Sequence, residues 1–114
     1  MPIVNVYADR PRLYQIEPNV ISLKQHIACQ LTTPELALDE NHVSIRLMQA
    51  AGAMIGEIEL EILAYCFEER VRRQDEICTS IRTFVEEKVG KANVRVWLIL
   101  SEMGYSYNRN QPIR

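Results

Sequence analysis

The sequence predicts an α/β (α+β) domain in which two β-α-β halves share one four-stranded mixed sheet, with two helices on one face. Three observations predict it. Four segments alternate apolar and polar residues at strand period, two longer segments repeat apolar residues every three or four positions, and their order is β-α-β-β-α-β. A helix of two turns or more between strands favours right-handed crossovers and parallel pairing within each half. The halves span 3–48 and 57–101, and 102–114 follows as a tail of the same single domain.

Ile3 to Tyr7 is β-branched and alternating, and reads as the first strand. ADRPRLYQIEPN then reads as a loop punctuated by Pro11 and Pro18, the latter also suited to a helical first turn, where its missing N–H costs nothing. Val20, Leu23, Ile27 and Leu31 give the first amphipathic helix, ending near Thr32-Thr33-Pro34, and PELALDEN is a connector. HVSIRLM alternates, with Val43, Ile45 and Leu47 on one face and His42, Ser44, Arg46 and Met48 on the other. AAGAMIG is a turn region, and EIELEILAYC is the third strand, with Ile58, Leu60, Ile62 and Ala64 opposite Glu57, Glu59 and Glu61. The second helix is expected from about Glu68 to Val89, with a stripe of Ile77, Cys78, Ile81, Phe84, Val85 and Val89 and Gly90 as terminator. NVRVWLILSEM closes the sheet, placing Arg95, Trp97, Ile99 and Ser101 on the face away from Val94, Val96, Leu98 and Leu100. GYSYNRNQPIR is polar and reads as a short hairpin or subunit arm.

Composition excludes several classes. At 114 residues, 47% hydrophobic and 25% charged, the chain is one ordinary globular domain. A formal net charge of −2 argues against a nucleic-acid binder. No apolar run approaches a membrane span, and the N-terminus lacks a secretory layout, so the cytoplasm is the expected compartment. Cys29, Cys66 and Cys78 lie within apolar periodic segments and read as buried thiols, with no metal site expected.

The sheet face away from the helices carries Glu57, Glu59 and Glu61 on one strand and Arg46, Arg95 and Trp97 on others. It reads either as a solvated face or as an interface in which carboxylates meet arginines across subunits. Trp97 and Ile99 favour the interface, since aromatics are enriched there.

The opening Met-Pro is the chemical clue. Methionine is normally trimmed before a small residue such as proline, which would leave Pro2 with a free secondary amine, a base and a nucleophile.

These pieces resemble the tautomerase superfamily, which includes 4-oxalocrotonate tautomerase, macrophage migration inhibitory factor-like proteins and the cis-chloroacrylate dehalogenases. The resemblance rests on MPIVNVYADR as a Met-Pro-apolar start, on the element order at this length, on LTTPELALDENHVSI as a helix–proline loop–strand passage, and on VRVWLILSEM as the final strand. It implies a trimer of double β-α-β units with no cofactor and no membrane or nucleic-acid partner. It also implies a catalytic Pro2 acting as general base on a small carboxylated keto–enol substrate. Burial and neighbouring cations would keep that amine neutral, and an arginine would grip the substrate carboxylate. Arg70 is the best positional match to the dehalogenase-like substrate arginine. Arg10 and Arg12 follow the first strand, where small bacterial tautomerases carry theirs. Arg72 and Arg73 read equally as solvated charges, and Trp97 is the nearest match to a pocket tyrosine on the last strand. The chain departs from the cytokine-like pattern at Thr33, where they place a lysine, and at Ile99, where they place an asparagine. His26 and His42 read as surface residues. Three alternatives stay open: a non-catalytic trimer for interaction or ligand binding, a hydratase or dehalogenase acting on a 3-haloacrylate-like acid, and a ferredoxin-like regulatory domain with the same element order.

Overall fold

In the computed structural model, which describes residues 2–102, the strands are β1 (Ile3–Ala8), β2 (Ser44–Gln49), β3 (Ile58–Tyr65) and β4 (Val94–Ser101). The helices are α1 (Arg10–Ile16), α2 (Val20–Leu31), α3 (Glu68–Arg72) and α4 (Gln74–Val89). Met1 and the tail read as a hairpin or subunit arm from Gly104 lie outside the described residues.

The sheet order is β2-β1-β3-β4. β1 runs parallel to β2 and β3 runs parallel to β4, while the central β1–β3 pair is antiparallel. Each half therefore pairs its own strands side by side, as the crossover argument predicts. A ferredoxin-like sheet splits each β-α-β unit with an intervening strand, so this pairing rules that alternative out.

The alternation in β3 is copied by its burial: Ile58, Leu60 and Ile62 are fully buried and Ala64 nearly so. With Val4, Val6 and Ala8 of β1 they form the floor of the core, and Leu23, Ile27 and Leu31 of α2 and Ile77, Ile81 and Val85 of α4 form its roof. Each fully buried Leu or Ile contributes about 1.5–3 kcal/mol of hydrophobic stabilisation. Gly90 ends α4 at φ +80°, a region that an L side chain rarely adopts.

Three expectations change. The segment read as a loop after β1 is largely helical, because Asp9 caps it by accepting from the Arg12 N–H at 3.0 Å and Pro11 occupies the first turn. Its Ile16 drops into the core at 3% exposure, and a 3-10 turn over Glu17–Asn19, containing Pro18, leads into α2. The long second helix is broken at Arg73 into α3 and α4, because the inward-facing Arg70 anchors α3 separately. Cys29 is exposed and Cys66 and Cys78 are half-buried: Cys29 sits one position off the buried Ala28 and turns outward.

His26 is half-buried where α2 meets α4. Its Nε2 shares a 3.0 Å hydrogen bond with Ser80 Oγ, and its ring stacks on Phe84 at 4.5 Å. His42 ends a 3-10 turn and closes a capping box with Asp39. Among the described residues no helix is long and apolar enough to cross a membrane.

Candidate functional site

Pro2 stands buried at the head of the central strand, and its carbonyl accepts the Ser44 N–H at 3.1 Å. That bond uses the proline's one ladder-forming group and pins it against the start of β2. The alternation of β1 gives Pro2 the parity of Val4 and Val6, whose side chains face the helices. The β1–β3 register ends at Ile3↔Leu63, and one further step sets Pro2 against Ala64, next to Tyr65.

Arg70 comes to this same end of the sheet. It is 2% exposed; its Nε donates to the Leu31 carbonyl at 2.8 Å and its Nη1 to the Tyr65 carbonyl at 3.0 Å. The guanidinium also lies over the Phe67 ring at 4.9 Å, and Phe67 packs edge-on to Tyr65. Thr33, the residue standing in place of a lysine, is buried in a tight corner where it exchanges backbone bonds with Leu36. Arg73 reaches the Gln30 carbonyl at 3.4 Å and pairs with Glu76, and Arg72 is exposed and pairs with Glu69.

Arg10 and Arg12 lie at the opposite end. Arg10 is exposed and donates to Gln49 Oε1 at 3.1 Å. Arg12 forms a 2.9 Å ion pair with Glu57 and donates to the Lys91 carbonyl at 3.2 Å. The Asn93 N–H also reaches Glu57, and together with Arg12 it holds that carboxyl below the ordinary range. The six residues of β1 separate this cluster from Pro2 by about 20 Å at 3.3 Å per residue. One chain therefore brings Pro2 and Arg70 to a common end of the sheet and leaves Arg10 and Arg12 at the other. Trp97 belongs to neither end; it sits mid-strand on the outer sheet face, 47% exposed, in register with Glu61.

That outer face holds a cluster the sequence reading missed. Asn5 is 9% exposed, and its Nδ2 donates to Glu61 Oε1 at 3.0 Å, with Tyr7 OH reaching the same oxygen at 3.4 Å. Partial burial, and then the Glu61 charge, raise the Tyr7 phenol above its ordinary value, so it stays a donor. Among the described residues no donor reaches Asn5 Oδ1, although that atom is shielded from solvent. The signal was an asparagine inside the β-branched run IVNVYA, at a position whose parity faces away from the helices.

The fold matches solved structures over nearly its whole length. A macrophage migration inhibitory factor-like protein from Entamoeba histolytica superimposes with a TM-score of 0.64 at 11% identity, covering 93% of this chain and 96% of that one. A fused 4-OT wild-type symmetric trimer matches at 0.64 and 16% identity, with 91% of each chain covered. Malonate semialdehyde decarboxylase matches at 0.68 and 14% identity, covering 96% of this chain and 92% of its own. No protein-family model and no curated protein sequence matches the chain. The chain shares the tautomerase-type fold of these structures.

Proposed function

We propose that this tautomerase-fold chain is a cofactor-free keto–enol tautomerase acting on a small carboxylated substrate, with Pro2 as general base once Met1 has been removed. The observation that carries the reading is the placement of Pro2: buried, at the head of the central strand, and fixed through its carbonyl to Ser44. An amine held there pays no reorganisation when a substrate arrives.

In its neutral form the Pro2 nitrogen takes a proton from the enol hydroxyl or from the carbon next to a carbonyl. It returns that proton to the other site, so no group is consumed. Burial disfavours the ammonium form, and a buried cation at the same end of the sheet disfavours it further, so both lower the amine's pKa toward neutrality. Arg70 supplies that cation, with two donors engaged on the Leu31 and Tyr65 carbonyls.

The carboxylate grip needs a second arginine. With Arg12 tied to Glu57, the exposed Arg10 is the freer candidate, and its distance from Pro2 fits a site completed by a neighbouring copy. The exposed Trp97 reaches such a site by the same route, from a face that a neighbour covers. A homotrimer is the assembly this reading calls for. The fused 4-OT structure is a symmetric trimer, and the malonate semialdehyde decarboxylase structures include a proline-to-alanine variant at the first position.

The test is ketonisation of 2-hydroxymuconate and phenylenolpyruvate by protein whose intact mass shows Met1 removed. Turnover without added cofactor supports the reading. No rate above the uncatalysed one on either substrate overturns it.

A further inference from the structure

Moving a proton between an enol and its ketone passes negative charge through the substrate oxygen, and a donor is needed to meet it. Because β1 and β3 run antiparallel, the amino end of β1 meets the carboxyl end of β3, where Tyr65, Cys66 and Phe67 leave the sheet. Most donors at that end are already engaged. Arg70 is buried and gives its Nε to the Leu31 carbonyl and its Nη1 to the Tyr65 carbonyl. The Ser44 N–H holds the Pro2 carbonyl and the Cys66 N–H holds the Ser101 carbonyl. Thr33 is buried, its Oγ1 accepting from the Leu36 N–H, and Arg73 is shared between Glu76 and the Gln30 carbonyl.

The Tyr65 hydroxyl differs from all of these. Tyr65 is 43% exposed, and among the described residues its hydroxyl makes no hydrogen bond. Its ring is nevertheless held in place. Phe67 packs edge-on against it with the centroids 4.9 Å apart, and the Arg70 guanidinium lies 4.9 Å over the Phe67 ring. The same guanidinium ties down the Tyr65 carbonyl at 3.0 Å. One buried cation thus supports Tyr65 through both its backbone and its ring, and leaves the hydroxyl without a partner at the end of the sheet where Pro2 lies.

We propose that the Tyr65 hydroxyl is the hydrogen-bond donor to the substrate oxygen, with Phe67 as the positioning residue for its ring. The assignment rests on the tautomerase reading of Pro2. In the step, the Pro2 nitrogen takes the enol O–H proton, and the electron pair left on oxygen forms the C=O bond. The C=C bond breaks as its electrons take the proton back from the Pro2 ammonium at carbon. Tyr65 keeps its own proton throughout and lends it only as a hydrogen bond. That bond is strongest while the oxygen carries enolate charge, so it lowers the barrier more than it tightens substrate binding. Arg70 then acts behind the site, as its burial and its two carbonyl bonds require.

The experiment measures kcat and KM for ketonisation of 2-hydroxymuconate and phenylenolpyruvate by wild type, Tyr65→Phe, Phe67→Leu and the double variant. Each protein is used with Met1 absent by intact mass and with a folded circular dichroism spectrum. Tyr65→Phe keeps the ring and its edge-on contact and removes only the hydroxyl, so kcat should fall about 100-fold with KM little changed. Phe67→Leu should lower kcat by a smaller factor. The double variant should be no slower than Tyr65→Phe, since a ring without a hydroxyl has nothing left to aim. A Tyr65→Phe variant with the wild-type kcat, or altered in KM alone, overturns the donor assignment. A double variant slowed by the product of the two single losses overturns the positioning role of Phe67. A wild type without turnover overturns the tautomerase reading, and the Tyr65 assignment with it.

Discussion

Arg70 and Leu31 are joined by a 2.8 Å bond from the guanidinium Nε to the last carbonyl of α2. A helix C-terminus leaves its final carbonyls without intrahelical partners and carries partial negative charge. α2 has no basic residue in its own last turn, so the cations come from across the chain: Arg70 on Leu31 and Arg73 on Gln30. The same Arg70 holds the Tyr65 carbonyl at the end of β3, and so ties both halves of the fold together at the end of the sheet where Pro2 lies.

Arg70→Met should therefore destabilise the protein by about 2–4 kcal/mol, since the buried Leu31 carbonyl and the part-buried Tyr65 carbonyl lose their donor. Arg70→Lys should recover only part of this, because an ammonium lacks the guanidinium fork. Urea unfolding midpoints check both. A variant that raises KM with an unchanged midpoint would instead mark Arg70 as a substrate contact.

Gly56→Ala should cost about 1–3 kcal/mol. A Cβ at this position would meet Arg95 Cγ at 2.8 Å, the Asn93 carbonyl at 3.0 Å and the Ile58 carbonyl at 3.2 Å. The arginine stem can shift and the two carbonyls cannot. Gly52→Ala, where no atom lies within 4 Å, is strained only through its φ of +120° and separates the two effects in a thermal melt.

His26 should make stability fall on the acid side of neutrality. Burial between α2 and α4 lowers its pKa from the ordinary 6.5, offset in part by the Ser80 backbone and by Glu87. Lys88, which lies over the Phe84 ring that His26 stacks on, is a further charge on that side. The unfolded chain then binds the proton more readily than the folded one, so stability is lost as pH falls below the unfolded value and levels off below the folded one. His26→Gln, which cannot titrate, should flatten the difference in unfolding midpoint between pH 7.5 and about 5 relative to wild type.

The sheet was legible because its inner residues obey one rule. Ile58, Leu60 and Ile62 alternate cleanly, and a helix between the strands of each half dictates parallel pairing. α1 was hidden because Pro11 and Pro18 read as loop punctuation; the Asp9 cap is a local signal for it, while the burial of Ile16 depends on packing across the fold. The break at Arg73 was invisible for a similar reason: it depends on Arg70 reaching a carbonyl 39 residues away. At the candidate site, Met-Pro and the element order pointed to Pro2, and the arginines could be named as candidates. Their sorting into two ends of the sheet needed the register, and the Asn5–Glu61–Tyr7 cluster needed the β1–β3 pairing.

The most direct test of the central claim compares ketonisation rates of wild type and Pro2→Ala on 2-hydroxymuconate and phenylenolpyruvate, with Met1 absent from both by intact mass. Alanine also permits Met1 removal, so the two chains differ in the terminal amine alone. The account predicts a fall in kcat/KM of about 100-fold or more, the contribution of a positioned general base, with the fold unchanged by circular dichroism. Equal rates in the two proteins would contradict it.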